Sequence, residues 1–436
     1  MLRKISNYLL WIFLFLLPWQ TRWIWHYGKL NGGAWEYGTY SLYGTEILWA
    51  LLVVFFIIAN FGKYEFWHRI FSKEHYRTHK KNLWIGLGFI LFLIISVWQS
   101  VNWQVSYNFV LYVIEGLCLF MILAGQGEGF YKKSMYALWL GGIPQGLLAL
   151  HQFFIQHVFA SKWLGMAEQF GRQAGASVIE FGEERWLRAY GSFGSPNSLG
   201  IYLAILLLVG LILYLRETDA KLKIFLSVGQ LFVLSGLILS FSRGAWLAAV
   251  VGLITLKIII YIKERSKLFD FSKQAIFYIL LSICFLAILY PVFAARFNLS
   301  NRLEQKSIYE RQVQYGEAVS LLKPAKLLFG VGPGAFTYAL YQKNINWPSY
   351  QYQPVHNIYL LILVEWGLVG IIIFLIFHLK WLEKISKNNL FFLPVIIALL
   401  CAGLFDHWLW SMWTGVVFWF VVWGMGAGKL DSTVGS

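Results

Sequence analysis

The sequence predicts an all-α polytopic integral membrane protein. About twelve transmembrane helices are expected, with one long extracytoplasmic loop between spans nine and ten. Three observations predict this. Hydrophobic residues make up 58% of the 436 positions and charged residues only 13%, against roughly a quarter charged in a soluble domain. Apolar runs of about 17–25 residues recur, each able to cross about 30 Å of hydrocarbon. Lys and Arg cluster in alternate connections, as cytoplasmic loops do. A β-barrel would instead need strands that alternate apolar and polar residues. Residues 1–436 read as one polytopic domain, and no internal repeat of the kind that builds many transporters is visible. Cys118, Cys284 and Cys401 all lie in apolar runs. They read as small core residues rather than as a disulfide framework or metal site.

The first span follows Arg3 and Lys4 and runs through Leu9 to Leu17. It resembles a signal peptide, but it lacks a small-x-small cleavage site and many spans follow, so it reads as a retained helix. The polar segment Thr21 to Tyr43, rich in Trp, Tyr and Gly, leads to span two, Gly44 to Phe61. Lys63, Arg69, Lys73, Arg77, Lys80 and Lys81 then mark a cytoplasmic loop. Span three covers Leu83 to Gln99 and span four Tyr107 to Ala124. Lys132 and Lys133 precede span five, Ser134 to Gln156. A second polar segment, His157 to Ser195, opens into span six, Pro196 to Leu215, with Arg216, Lys221 and Lys223 behind it. Spans seven and eight, Ile224 to Phe241 and Gly244 to Ile262, are separated only by Ser242-Arg243. Lys263, Arg265, Lys267 and Lys273 lead to span nine, Ala275 to Ala295. After the polar loop 296–355 come span ten, Asn357 to Leu379, and then Lys380, Lys384 and Lys387. Leu390 to Phe405 and Trp410 to Gly426 are the last two spans, and Lys429 follows them. Alternation places both termini in the cytoplasm. The connections Ser100 to Ser106 and Asp406 to Ser411, without Lys or Arg, fall outside. The expected location is the inner (plasma) membrane.

The long loop departs from that charge pattern. It carries Arg296, Arg302, Lys306, Arg311, Lys323, Lys326 and Lys343 against Glu304, Glu310 and Glu317. Long loops translocate regardless of charge, so the topology stands. The surplus suits an anionic ligand outside or anionic lipid headgroups. Much of the formal charge of +15 is topology signal, so it does not argue for nucleic acid.

A few residues are candidates for chemistry. Arg243 stands between two apolar helices, where an ionisable group is a functional candidate because its burial costs several kcal/mol. The plainer account is snorkelling, although Gly244 and Ala245 leave little room for an idle long side chain. Arg311 lies in Arg302 to Leu322, which has no Pro and only Gly316 and can form a helix on the membrane surface. Taken alone, it reads as a solvated residue or a partner of Glu304 or Glu317. His356 stands between Pro354 and span ten. A neutral imidazole accepts a proton near neutral pH; the alternative is a satisfied interfacial histidine.

Ser195 fits an N-cap and Pro196 the first helical position, which directs a helix N-terminus, an anion site, outward beside Arg188. Gly330-Val331-Gly332-Pro333-Gly334 is no P-loop, since no Gly-Lys-Ser/Thr follows, and reads as a tight turn. Asp406 is the only aspartate assigned outside. A divalent clamp on a diphosphate needs carboxylates, so no metal and no other cofactor is expected, and arginines would hold that group instead. The loop aromatics between Tyr309 and Tyr352 offer faces for sugar rings or form an interfacial belt.

Together these residues resemble the O-antigen ligases and the related O-antigen polymerases and bacterial protein O-oligosaccharyltransferases. The resemblance covers roughly Arg188 to Leu375, a core of 185–375, and the span count. It rests on Gly194-Ser195-Pro196-Asn197 opening a span, Ser242-Arg243-Gly244 between two spans, Arg311 in the long loop, and the glycine-rich turn. Most specific is His356-Asn357-Ile358-Tyr359-Leu360 with Glu365, Gly367 and Gly370. The resemblance implies a membrane glycosyltransferase of polysaccharide or lipopolysaccharide biosynthesis. Its donor would be a glycan on a polyprenyl diphosphate such as undecaprenyl diphosphate. Its acceptor would be a lipid-, glycan- or protein-linked hydroxyl on the extracytoplasmic face. The family's diphosphate-binding arginines carry over onto Arg243 and Arg311, and its hydroxyl-activating histidine onto His356. Arg188, Asn197 and Asn357 would support substrate binding. Membrane lipid is the other implied partner, and nucleic acid is not. Ligase and polymerase share donor chemistry and are not separated here. A lipid-linked sugar flippase is the reading from another class, with Glu115 in span four as its one feature; a scaffold without chemistry is a third.

Overall fold

The structure is a computed structural model that describes residues 1–61, 88–125 and 127–428. The expected Lys63–Lys81 cluster, the first residues of span three, and Lys429 lie outside the described residues. In chain order the described helices are α1 (Leu2–Leu16), α2 (Gly44–Phe61), α3 (Gly88–Trp98), α4 (Trp103–Ala124) and α5 (Glu128–Ile155). Then come α6 (Pro196–Arg216), α7 (Ala220–Leu239), α8 (Arg243–Lys263), α9 (Leu268–Ile288) and α10 (Tyr290–Phe297). The last five are α11 (Arg302–Leu321), α12 (Phe336–Lys343), α13 (Ile358–Asn388), α14 (Leu393–Ala402) and α15 (Trp413–Ala427). Six helices, α4, α6, α7, α8, α9 and α13, are long and apolar enough to cross a membrane; α2, α3, α14 and α15 are apolar but shorter. Helix therefore stands at each of the twelve expected spans among the described residues, but only six of these helices are both long and apolar enough to cross a membrane.

Helix α6 is the hub. It is apolar around its whole circumference, so only a fully enclosed position suits it. Its apolar stretch is buried throughout, against α5, α7, α8 and α14. Ser195 caps its start, accepting from Ser198 N at 3.3 Å, with Pro196 in the first turn. The expected ninth span is divided. Helix α9 stops at Ile288 and α10 begins at Tyr290, because Pro291 has no N–H to continue the ladder. In the long loop, α11 matches the helix expected from Arg302 onward.

The polar segments, expected as loops, carry short antiparallel pairs. β1 (Arg22–His26) pairs with β4 (Tyr40–Tyr43), and β2 (Lys29–Leu30) with β3 (Gly33–Ala34). β5 (His157–Val158) pairs with β6 (Gln169–Phe170), and β7 (Val178–Phe181) with β8 (Glu184–Leu187). Aromatic and β-branched residues favour strands, and Gly182, at φ +59°, supplies the positive φ that a two-residue hairpin turn demands.

Helix α13 is broken at Gly367, which has φ 66° and ψ −168°. A broken helix in an apolar setting needs other partners for the exposed backbone groups, and the glycine-rich turn supplies them. Val331 N and Gly332 N donate to the carbonyls of Val364 and Glu365, both at 2.9 Å. Leu368 N and Val369 N donate to the carbonyls of Leu327 and Leu328 at 2.9 and 3.1 Å. The turn is thus a plug in the helix break. Gly330 has φ +73°, and a Cβ there would lie 2.3 Å from the Glu365 carbonyl oxygen. Gly330→Ala should therefore cost about 3 kcal/mol or more. Thermal unfolding of detergent-solubilised protein tests this, and an unchanged midpoint would refute the plug.

Candidate active site

The site forms at one end of the bundle, where the connections between helices converge. Four side chains are arranged in series there. Arg188 follows β8 and is buried; its Nε donates to the Ser240 carbonyl and its Nη2 to Asn197 Oδ1, each at 2.8 Å. Asn197, in the first turn of α6, donates from Nδ2 to Asp406 Oδ2 at 3.2 Å. Asp406, in the connection between α14 and α15, accepts from Trp408 N at 2.8 Å through Oδ1. Its Oδ2 faces His356 Nδ1 at 3.5 Å, long for a hydrogen bond. The His356 side chain keeps 26% of its surface exposed, whereas Asp406 keeps 5%.

Electrostatics sets the charge of Asp406, Arg188 and the neighbouring His407. Burial alone would raise the Asp406 carboxyl, but His356, His407 and the Trp408 amide outweigh it and hold it well below the usual carboxylate range. Burial pushes Arg188 down to about 9, with Arg296 adding repulsion, so it still carries charge at neutral pH. His407 stacks beside His356, ring centroids 4.8 Å apart, and its Nδ1 bonds Ser411 Oγ at 2.7 Å. Burial pushes His407 down to about 4, against the attraction of Asp406. It is neutral in the folded protein near pH 7, whereas an unfolded histidine titrates near about 6.5. As pH falls from about 6.5 to about 4, the unfolded state takes up a proton that the folded state does not, so stability declines in that window. Asp406 adds to the loss at lower pH, since its stabilisation is present above its unfolded pKa and lost below. His407→Gln should flatten the decline between pH 6.5 and 4 by a few degrees in a thermal melt; an unchanged pH profile would refute this.

A second cluster lies on the other side of Asp406. Arg243 opens α8 and donates from Nη2 to Glu304 Oε2 at 2.7 Å. Arg296, in the last turn of α10, pairs with the other oxygen of Glu304 and donates from Nε to the Phe241 carbonyl at 3.1 Å. Phe241 holds φ 47°, a sparsely populated conformation for a bulky residue. Its buried ring packs on Phe153, Phe293 and Trp246, which hold it there and aim its carbonyl at Arg296. Arg243, Arg296 and Arg311 line one cavity of about 310 Å³, together with Asn197 and Asp406. Arg311 makes no ion pair among the described residues, so three guanidiniums stand against two carboxylates, Glu304, which Arg243 and Arg296 pair, and Asp406. Such a wall binds anions through charge-assisted hydrogen bonds.

A separate cavity of about 510 Å³ is lined by His356, His407 and, again, Asp406. The two cavities thus meet at this aspartate, one with arginines and one with imidazoles. Among the residues expected from the sequence, Arg243, Arg311 and Asn197 line the first and His356 the second. Arg188 lies behind Asn197. Asn357 lines neither: its Oδ1 caps α13, accepting from Tyr359 N and Leu360 N at 3.0 Å, and its Nδ2 donates to Tyr315 Oη at 3.1 Å. Glu115, the feature noted for transport, accepts from the Trp413 indole N–H at 2.6 Å.

Arg296, Glu304, Asp406 and His407 are not among the site residues expected from the sequence, where Arg296 and Glu304 count only in the loop's charge and Asp406 only as the outer aspartate. An Asp-His pair in a short connection between two spans was the signal for the last two, because an ionisable group there is costly without a partner. His356, Asp406 and His407 bring three ligand-type atoms within 4.8 Å of one another, and these are the residues that would hold a divalent cation if one binds.

No curated protein matches the chain. Residues 228–375 match the family model described as O-Antigen ligase. That stretch contains Arg243, Arg296, Glu304, Arg311 and His356, and stops short of Asp406. By this match, the segment that supplies the arginine wall and the histidine belongs to the O-antigen ligase superfamily.

Proposed function

We propose that the protein is an O-antigen ligase-like glycosyltransferase that moves a glycan from a polyprenyl diphosphate to an acceptor hydroxyl. The observation that carries this reading is the pair of cavities meeting at Asp406, one walled by arginines and the other by His356. His356 Nδ1 faces Asp406, which leaves Nε2 to take the acceptor's hydroxyl proton. The acceptor oxygen forms its bond to the anomeric carbon as the bond from that carbon to the phosphate oxygen breaks. The diphosphate leaves with the bonding electrons, held by Arg243, Arg296 and Arg311. A single displacement inverts the anomeric centre. Asp406 stabilises the imidazolium that forms, and Arg188 holds Asn197 against Asp406. No step calls for a metal. Arg188 and Asn197 therefore support the site from behind, and Asn357 fixes the start of α13 next to His356.

The same reading places the site on the outer face of the inner membrane, in a single domain of twelve spans with both termini cytoplasmic. The chain ends of α2, α5, α7, α9 and α13 that lead away from the site carry the Lys/Arg clusters, which supports that orientation. A polymerase of the same superfamily is the alternative, because the donor chemistry is common to both.

The test is a transfer assay with the full chain purified in detergent, a polyprenyl-diphosphate oligosaccharide and EDTA. Release of polyprenyl diphosphate together with a new glycoconjugate is the expected result, and product length separates ligase from polymerase. Loss of turnover in EDTA with recovery on added divalent cation would overturn the metal-independent mechanism. Lipid movement across reconstituted vesicles without glycosidic bond formation would overturn the enzyme reading altogether.

A further inference from the structure

Among the described residues, one group of three metal-ligand side chains stands together: His356, Asp406 and His407, with ligand atoms within 4.8 Å of one another. They come from two remote segments, the residues just before α13 and the connection between α14 and α15. His356 Nδ1 is a buried atom without a hydrogen-bond partner. It lies 3.5 Å from Asp406 Oδ2, too far for a good hydrogen bond. A tetrahedral zinc site has that spacing, because bonds of about 2.0–2.1 Å set neighbouring ligand atoms about 3.4 Å apart. From the widest separation, at most 4.8 Å, to that edge is a closure of about 1.4 Å. The His356 side chain is partly exposed to the cavity of about 510 Å³ and has room to make it.

The surroundings hold these three groups as metal ligands are held. A ligating imidazole gives its other N–H to an oxygen, and a ligating carboxylate is itself hydrogen-bonded. His407 Nδ1 bonds Ser411 Oγ at 2.7 Å; with Nδ1 as the donor, the lone pair of Nε2 is free. The Tyr37 ring packs edge-on against His407, centroids 6.1 Å apart. Asp406 accepts from Trp408 N through Oδ1 at 2.8 Å and from Asn197 Nδ2 through Oδ2 at 3.2 Å. These bonds fix the carboxylate plane, and each carboxylate oxygen has a second lone pair to give. Two imidazoles and one carboxylate suit zinc, whereas magnesium and calcium take oxygen ligands. The cavity beside His356 leaves room for water at a fourth position.

We propose that His356, Asp406 and His407 form a zinc site that switches transfer off. Zinc takes the lone pair of His356 Nδ1. The neutral ring then carries its one proton on Nε2, the nitrogen that would receive the acceptor's hydroxyl proton, so the base is lost. The metal also stands at Asp406, where the two cavities meet. The site itself stands on geometry, and only its effect on transfer rests on the reading of His356 as the base.

The test measures metal binding apart from transfer. Untagged full-length protein in detergent is stripped with EDTA, freed of chelator and titrated with ZnCl₂ by calorimetry, with Co²⁺ as a spectroscopic stand-in. One Zn²⁺ should bind per chain, and Co²⁺ should give the intense visible bands of four-coordinate ligation. Transfer should fall in step with zinc occupancy and return on EDTA, whereas Mg²⁺ and Ca²⁺ leave it unchanged. His407→Gln keeps a neutral polar group beside Ser411. It should weaken zinc binding at least about 100-fold, the upper end of what losing a ligand's hydrogen-bond partner costs, and shift zinc inhibition by the same factor. Asp406→Asn, nearly isosteric, is the second variant and should weaken zinc binding likewise. No zinc binding by the wild type, or binding that neither variant weakens, would overturn the site; loss of transfer in His356→Ala would then leave the base assignment standing. Zinc held by these residues at full occupancy, with transfer undiminished or raised, would overturn the switch and His356 as the base with it.

Discussion

His356→Ala is expected to lower kcat for transfer by about 10²–10⁴-fold, the usual contribution of a positioned general base. The donor should bind as before, because the arginine wall lies across Asp406 from His356. The side chain is partly exposed; Asp406 lies 3.5 Å from it and the His407 ring stacks beside it. Truncation therefore leaves the bundle intact, which size-exclusion profile and thermal midpoint can confirm. Asp406→Asn should show the same defect in weaker form and shift the pH–rate profile, since an amide holds no charge against an imidazolium. Unchanged kcat in His356→Ala, with folded protein and saturating donor, would remove His356 from the chemistry.

Arg243→Ala is expected to cost about 10²–10³-fold in kcat, the range seen when one preorganised stabiliser of developing charge is removed. The loss should not be complete, because Arg296 and Arg311 line the same cavity. A complication is Glu304, which is buried and loses one of its two cationic partners. An uncompensated buried carboxylate destabilises the fold, so the alanine variant alone mixes two effects. Arg243→Lys separates them. Lysine keeps a cation beside Glu304 but lacks the planar fork that grips two phosphate oxygens. Its thermal midpoint should return towards wild type while kcat stays well below it. If both variants transfer at the wild-type rate, the arginine cavity does not hold the leaving group.

Much of this architecture was legible along the chain. The apolar runs located the helices, and the Ser195-Pro196 pair marked the start of α6, because a cap and a missing N–H act over a few residues. The helix from Arg302 followed from the near absence of breakers. The hairpins of the polar segments were missed although aromatic and β-branched residues announce them, because the surrounding Gly and polar residues read equally as loop. The span count was legible only as a count of apolar runs. Helix length depends on where each run bends, and Pro291 and Gly367 divide two of them.

By itself the sequence determined that the chain is a bundle of apolar helices, and it singled out Arg243 and His356 at helix ends, whereas Arg311 stood out only through the resemblance to a family. Charge and hydropathy are local properties, and the cost of an ionisable group at a helix end is paid wherever the helix goes. Only the tertiary structure decided which of these residues meet. Arg243 and Arg296 converge on Glu304, and Arg188 reaches His356 through Asn197 and Asp406, across 209 positions of sequence between the last two partners' hydrogen-bonded side chains. It also turned a glycine-rich segment from a simple turn into the plug of a broken helix. These outcomes depend on distances between remote backbone segments, which side-chain packing and backbone hydrogen-bond satisfaction set together, and which no stretch of sequence carries alone.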